Sequence, residues 1–314
     1  MDEKLQSSAK STSERSSSLV YVLITPARNE AAFIEKTIQS VISQTVKPAK
    51  WVIVSDGSTD GTDEIVKRYA REYDWIELVR MPERKERHFA GKVHAFNAGY
   101  ERVENMRFDI VGNLDADITF DEDYFSFLLK KFQANPNLGV GGTPFKEKHH
   151  QYDYRFASTQ HVSGACQLFR RQCFEDIGGY TPLKVGGIDL VAVTTARMKG
   201  WETRTFTEKT CFHHRETQGG KDTSLKRTFW SGYHDYLMGS SPAWQIFRSI
   251  YHMSKSPFLV GGGCLLAGFL WAMLKRAEKP VSKEFVAFRR KEQWERLRTL
   301  VANRMVLKRF VGQP

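Results

Sequence analysis

From Leu19 onward the chain alternates between two periodicities that build different secondary structures. A β-rich apolar run, Leu19 to Ile24, gives way to the polar stretch Thr25-Pro26-Ala27-Arg28-Asn29-Glu30, after which Phe33, Ile34, Ile38, Val41 and Ile42 recur at helical spacing. The unit then repeats. Trp51 to Val54 reads as a strand, Ser55 to Gly61 as a loop, and Ile65, Val66 and Tyr69 mark a helix ending near Tyr73. Ile76 to Val79 is a third strand, a helix follows near Lys92 to Val103, and Phe108 to Asn113 is a strand running into the core. Strands separated by helices join through crossovers and pair in parallel. The expected fold class is therefore α/β, with a mostly parallel sheet covered by helices on both faces. No sequence repeat recurs at a fixed period, which argues against a solenoid.

In an open parallel sheet the ligand crevice lies outside the carboxyl ends of the strands. Three polar loops occupy that position here: Pro26 to Glu30, Asp56 to Gly61, and Asp115 to Asp117. The last has two carboxylates one residue apart. Alternate side chains of an extended chain share a face, so Asp115 and Asp117 can both address one ligand, and hard Mg²⁺ or Mn²⁺ prefers oxygen donors plus substrate phosphates. The same pair could equally be a polar strand end leading into a helix at Asp121. Other positions have two readings as well. Ser58, Thr59 and Asp60 make a good turn and helix cap. Glu30 is either a ligand or a first-turn acid favoured by the helix dipole, and Arg28 is either a binding group or a solvated charge. Lys92 either neutralises a diphosphate or stays solvated. No G-x-G-x-x-G follows the first strand and no G-x-x-x-x-G-K-[ST] occurs, which argues against dinucleotide oxidoreductases and P-loop NTPases.

Taken in order, Thr25 to Glu30, Asp56 to Asp60, Gly91-Lys92 with Asn97-Ala98-Gly99, Asp115-Ala116-Asp117, and Gly178-Gly179-Tyr180 followed by Asp189 before Gly200-Trp201 form a series. This series resembles the family 2 glycosyltransferases of the GT-A, Rossmann-like nucleotide-diphospho-sugar transferase fold, over about Val20 to His214. The resemblance implies that Pro26, Ala27, Arg28, Asn29, Glu30, Asp56, Lys92 and Asp115 contact the nucleotide. It also implies that Asp117 belongs to a site for a divalent cation, Mg²⁺ or Mn²⁺, and that Asp189 is the catalytic base. Asp189 could otherwise cap the helix expected from Leu190 to Lys199. The family usually places an acidic residue immediately before this Asp. Ile188 stands there instead. His213 and His214 are both candidates to complete the metal shell, with nothing in the sequence to choose between them. His149, His150 and His161 read as solvated or packed.

The net charge of +11 and a pI near 9.4 imply an anionic partner. Most of that charge is local: from Lys275 to the end there are twelve Lys or Arg against four Glu, a surplus of eight. A nucleic-acid partner is not expected, because it would explain the pI but not the clustered carboxylates, which repel phosphates unless a metal intervenes. Four cysteines without C-x-x-C or zinc spacing suggest reduced structural thiols in a cytosolic compartment. The expected organisation is a disordered leader at 1–18, a catalytic domain at 19–225, and a basic, helical, membrane-associated region at 226–314. Pro257 to Leu274 carries no charge over 18 residues, a marginal length for a membrane span, with a buried core helix as the alternative. Trp294, Leu297, Val301 and Met305 share a helical face that suits an anionic lipid surface or docking on the catalytic domain.

The expectation is thus an inverting enzyme at the cytoplasmic face of the cell membrane. It would move a hexose from a nucleotide-diphosphate sugar donor to a hydroxyl of a lipid-linked glycan or exopolysaccharide acceptor. The alternatives are a polyprenyl-phosphate sugar synthase and a non-catalytic nucleotide-sugar-binding scaffold.

Overall fold

A computed structural model describes residues 19–83, 89–147, 150–151, 158–215, 224–254 and 258–311. The leader at 1–18, His149, Pro257, and the side chains of His150, Val301 and Met305 lie outside the described set. So do parts of the loops Arg80 to Phe89 and Thr143 to Gln160.

The first half follows the alternation: β1 (Tyr21–Ala27), α1 (Ile34–Ile42), β2 (Lys50–Asp56), α2 (Thr62–Glu72), β3 (Ile76–Met81), α3 (Ala90–Tyr100), β4 (Ile110–Leu114), β5 (Ile118–Thr119) and α4 (Tyr124–Ala134). The middle of the chain holds β6 (Leu138–Gly142), β7 (Phe145–Glu147), β8 (His150–Gln151), β9 (Cys166–Arg170), α5 (Arg171–Asp176), α6 (Ile188–Met198), β10 (Glu202–Thr205) and β11 (Cys211–His213). Helices α7 (Ser224–Leu237), α8 (Pro242–Met253), α9 (Val260–Leu274) and α10 (Lys283–Val311) complete it.

Among the described residues the main sheet runs β10-β6-β9-β4-β1-β2-β3, and β5-β11-β7-β8 form a smaller one. β1 pairs in parallel with β2 and β4, as β2 does with β3 and β10 with β6. β9 alone runs antiparallel, between β4 and β6. The central strands β1, β2 and β4 are mostly apolar and buried along nearly their whole length because both faces are covered. Tyr21, Leu23, Trp51 and Ile53 pack under α1 and α4 on one face. Val22, Ile24, Val52 and Val54 pack with Val93 and Phe96 of α3 and with α6 on the other. The chain order reverses between β1 and β4, so the end of β1 with the loop after it, Pro26 to Glu30, and the turn after β4, Asp115 to Asp117, flank the crevice that such a switch opens.

The C-terminal helices are joined by close backbone approach. A Cβ added to Gly268 of α9 would lie 1.9 Å from the carbonyl oxygen of Phe229 in α7. Gly268→Ala is therefore expected to lower the melting temperature, because the ~1 kcal/mol gain in helix propensity is smaller than the ~1–3 kcal/mol or more of forced separation. Gly263→Ala on the same helix meets nothing within 4 Å and should leave the melting temperature unchanged or raised. Thermal denaturation of the two variants side by side tests the contact.

No helix among the described residues is long and apolar enough to cross a membrane. The uncharged segment forms α9, whose 15 residues extend about 22 Å against a hydrocarbon core of ~30 Å.

Candidate functional site

The two loops at the ends of β1 and β2 are laced together by polar side chains. Asn29 adopts a left-handed φ of 57°. Its N–H donates to Ser58 Oγ at 3.1 Å, and its Oδ1 accepts from the Thr59 N–H at 2.9 Å. The Glu30 N–H donates to Thr62 Oγ1 at 2.8 Å and the Ala31 N–H to Asp60 Oδ2 at 3.0 Å. Asn29, Ser58 and Asp60 therefore hold the loops, whereas Arg28, Glu30 and Asp56 line the crevice beside them. Arg28 Nη1 lies 3.8 Å from Asp56 Oδ2.

β4 ends at Leu114, and the acidic turn beyond it is fixed by its backbone. The Asp115 N–H donates to the Ala165 carbonyl at 2.9 Å, and Thr37 Oγ1 of α1 donates to the Ala116 carbonyl at 2.8 Å. Asp115 pairs with Lys92 of α3. Asp117 takes different partners because β5 pairs antiparallel with β11, which sets His213 opposite Ile118. His213 Nε2 is 3.3 Å from Asp117 Oδ2, and its Nδ1 is 3.0 Å from Glu147 Oε1 on β7. Arg215 pairs with Glu30 and brings its Nε to 3.6 Å from Asp117.

His214, the other candidate, does not reach the crevice. Successive side chains of an extended strand point to opposite faces. His214 Nε2 accordingly lies 3.1 Å from Thr119 Oγ1, and its ring sits among Phe33 and Phe212, away from the crevice.

Two adjoining clefts result. The larger, about 540 Å³, is lined by the remaining expected nucleotide and metal residues: Pro26, Ala27, Arg28, Glu30, Asp56, Lys92, Asp115, Asp117 and His213. The smaller, about 350 Å³, contains Asp189, Ile188, Asn113 and Gln167. Phe89, Lys92, Asp115 and His213 line both. Asp189 lies in the first turn of α6, where Gly187, at φ 81°, is the N-cap residue. No side chain caps that helix, so Asp189 is not engaged as its cap. His161, expected to be solvated or packed, approaches Asp189 with Nε2 3.9 Å from Oδ2. Burial depresses the His161 pKa although Asp189 opposes this, which favours a neutral ring next to the carboxylate.

The acidic crowding shifts several groups. Burial, reinforced by Asp117, raises the Glu30 carboxyl to about 7 against the pull of Arg215. Burial also raises Asp115, which Lys92 opposes and Asp117 reinforces. For His213 burial works downward, but bonding to Asp117 and Glu147 outweighs it and holds the imidazole at about 9. A raised folded-state pKa means the folded protein binds more protons, so the associated stability is present at low pH and lost as pH rises. For Glu30 the window runs from its ordinary value to about 7, and for His213 from its ordinary value to about 9. In EDTA the melting temperature is expected to fall by a few degrees as pH rises from the first window through the second. Asp117→Asn, which removes the charge common to both shifts, should flatten the profile.

Sequence reasoning missed Glu147, Phe89 and Arg215, and gave His161 no role in the site. Only the His213-His214-Arg215 run signalled any of them. Glu147 reaches the site through tertiary pairing alone.

A family model for glycosyl transferase family 2 matches residues 22–182. The poly-beta-1,6-N-acetyl-D-glucosamine synthase of Staphylococcus epidermidis is 31% identical over 117 residues, 37% of this chain and 26% of that protein. The Staphylococcus aureus (strain COL) counterpart is 32% identical over the same shares. The match thus spans about a quarter of the length of these curated relatives. Among solved structures, the mannosyltransferase PcManGT from Pyrobaculum calidifontis, in complex with GDP-Man and Mn²⁺, aligns with a TM-score of 0.55 at 20% identity, covering 92% of this chain and 80% of that one. Staphylococcus aureus TarS in complex with UDP-GlcNAc aligns at 0.52 and 12% identity, covering 86% and 78%. At these identities the structural likeness is one of fold.

Proposed function

The chain belongs to glycosyl transferase family 2, and from that premise we propose that it moves a hexose from a nucleotide-diphosphate sugar to a hydroxyl of a glycan or lipid-linked acceptor, with inversion. The observation that carries this reading is the wall shared by the two clefts. Phe89, Lys92, Asp115 and His213 face both the carboxylate-lined larger cleft and the smaller one that holds Asp189. A donor in the first and an acceptor in the second would meet at that wall.

The larger cleft suits a divalent cation that arrives with its substrate. No group of three or more His, Cys, Asp or Glu side chains among the described residues could hold a metal ion by itself. Hard cations such as Mg²⁺, however, keep waters and phosphate oxygens and need only one or two carboxylates. Asp117 is the carboxylate placed for this, with Asp115 two residues earlier and His213 at its side. When bound, the cation supplies Lewis-acid neutralisation of the leaving diphosphate.

The chain's own groups perform the remaining tasks. Arg28 and Asp56 line the far end of the larger cleft, where a nucleoside would rest. Arg215, paired with Glu30 and 3.6 Å from Asp117, offsets negative charge where the carboxylates crowd. Lys92 pairs with Asp115 and lies 3.4 Å from the Gly164 carbonyl, so it holds the boundary between the clefts. Asp189 takes the proton of the acceptor hydroxyl as the new bond forms. Attack from the Asp189 side, opposite the departing nucleotide, inverts the anomeric carbon. Phe89 packs over Gly186 at the junction of the two clefts, where an added Cβ would lie 3.2 Å from its ring.

Calorimetric titration with UDP, GDP, dTDP and CMP, each with Mn²⁺ and with EDTA, tests the donor half. Metal-dependent binding of one nucleotide is expected, followed by transfer from its sugar conjugate. Binding without transfer to any hydroxyl acceptor would favour a scaffold. No binding to folded protein would overturn the reading.

A further inference from the structure

The helices α7, α8 and α9 are packed inside out. The side of α9 that meets its neighbours is rich in small residues, with Gly261, Gly262, Gly268 and Ala272 buried beside Leu265 and Phe269. The backbones touch there: an added Cβ on Gly232 of α7 would lie 1.8 Å from the Leu265 carbonyl oxygen, and one on Gly262 would lie 2.2 Å from that of Ser249 in α8. Five other bulky apolar residues of α9 point outward instead. Val260, Leu270, Trp271, Met273 and Leu274 are exposed, Leu274 to 76%. Ile246 and Ile250, one turn apart on α8, and Phe258 and Leu259, each 69% exposed before α9, are exposed as well.

In water this arrangement is unfavourable, since burying each such side chain is worth ~1.5–3 kcal/mol. Where lipid is the solvent it is the expected one, because small residues let helix backbones approach while large apolar side chains meet acyl chains. The rim is cationic. Lys275 and Arg276 follow the helix, and Lys275 Nζ lies 4.9 Å from the Trp271 ring, an interfacial aromatic beside a snorkelling lysine. With a surplus of eight positive charges beyond Leu274, a second copy of this chain would be repelled, whereas an anionic surface would be attracted.

We propose that the outer face of α8 and α9 docks on an anionic lipid bilayer, with α9 lying along the boundary between headgroups and acyl chains. Its length suits this placement, being too short to cross. The docked layer adjoins the smaller cleft through α7: a Cβ on Gly187, two residues before Asp189, would lie 3.1 Å from His234 and 3.2 Å from Met238. Docking stands independently of the transfer reaction, because vesicle binding is read without donor or acceptor.

Flotation of the full chain with vesicles tests it. The chain should float with vesicles of phosphatidylcholine and phosphatidylglycerol in equal parts, and less with phosphatidylcholine alone. Leu270→Glu, Trp271→Glu and Leu274→Glu combined should reduce flotation by at least about tenfold. The melting temperature and nucleotide binding should not change, since all three side chains are exposed. Lys275→Glu with Arg276→Glu should abolish the preference for phosphatidylglycerol, and added salt should mimic that loss. The proposal is overturned if the chain remains unbound to both vesicles, or if the triple variant floats as the parent does. It also fails if light scattering shows a lipid-independent dimer that the triple variant converts to monomer, since the face would then belong to a second copy.

Discussion

Asp189→Asn is expected to slow transfer to a hydroxyl acceptor by about 10²–10⁴-fold, the usual contribution of a positioned general base. It should leave the affinity for the nucleotide within about twofold, because Asp189 lines the smaller cleft and not the larger. The substitution keeps side-chain size. Gly164, where an added Cβ would lie 3.2 Å from Asp189 Cβ, should accept it without displacement. Steady-state transfer kinetics with calorimetry on the same preparation separate the two effects. If transfer survives and the product extracts into organic solvent, the acceptor is a lipid phosphate, which needs no strong base.

Asp117→Ala should act on the other cleft. The increment of nucleotide affinity that Mn²⁺ confers is expected to vanish, and transfer to fall by about 10²–10³-fold, corresponding to the several kcal/mol that a Lewis acid contributes at a leaving group. Binding in EDTA should change little, since losing the phosphate-repelling Asp117 carboxylate is partly offset by the lower pKa, and so the greater negative charge, of Glu30. Calorimetry with and without Mn²⁺ measures both. Full metal-dependent binding in the variant would place the cation elsewhere. The two variants should therefore differ in one respect: Asp189→Asn spares metal-dependent binding and loses transfer, whereas Asp117→Ala loses both.

The parallel half of the main sheet was legible because continuous apolar runs and helical spacing are local properties. β1, β2, β3 and the helices between them lie close to where those patterns put them. Boundaries shifted where tertiary packing took over. The expected helix from Lys92 to Val103 runs from Ala90 to Tyr100, and Val103 is buried in the turn beyond it. The smaller sheet was not legible, because strands of two or three residues such as β5, β7 and β11 are too short to show a period. With it went Glu147, which bonds His213 across 66 positions of sequence.

The sequence by itself determined the crossover architecture and the gathering of Arg28, Glu30, Asp56, Asp115 and Asp117 at one edge. Alternating periodicities dictate parallel strands, and parallel strands deliver all their following loops to the same end. Only the tertiary structure decided between His213 and His214. That choice depends on the register of β11 against β5, where Thr119 and His214 are 95 residues apart, and a shift of one residue would have exchanged the two rings. Only the tertiary structure, likewise, gave the uncharged stretch of α9 its character. Hydropathy counts apolar residues without recording which face meets protein, and here glycine contacts claim one face together with Leu265 and Phe269 and leave Leu270, Trp271 and Leu274 on the other.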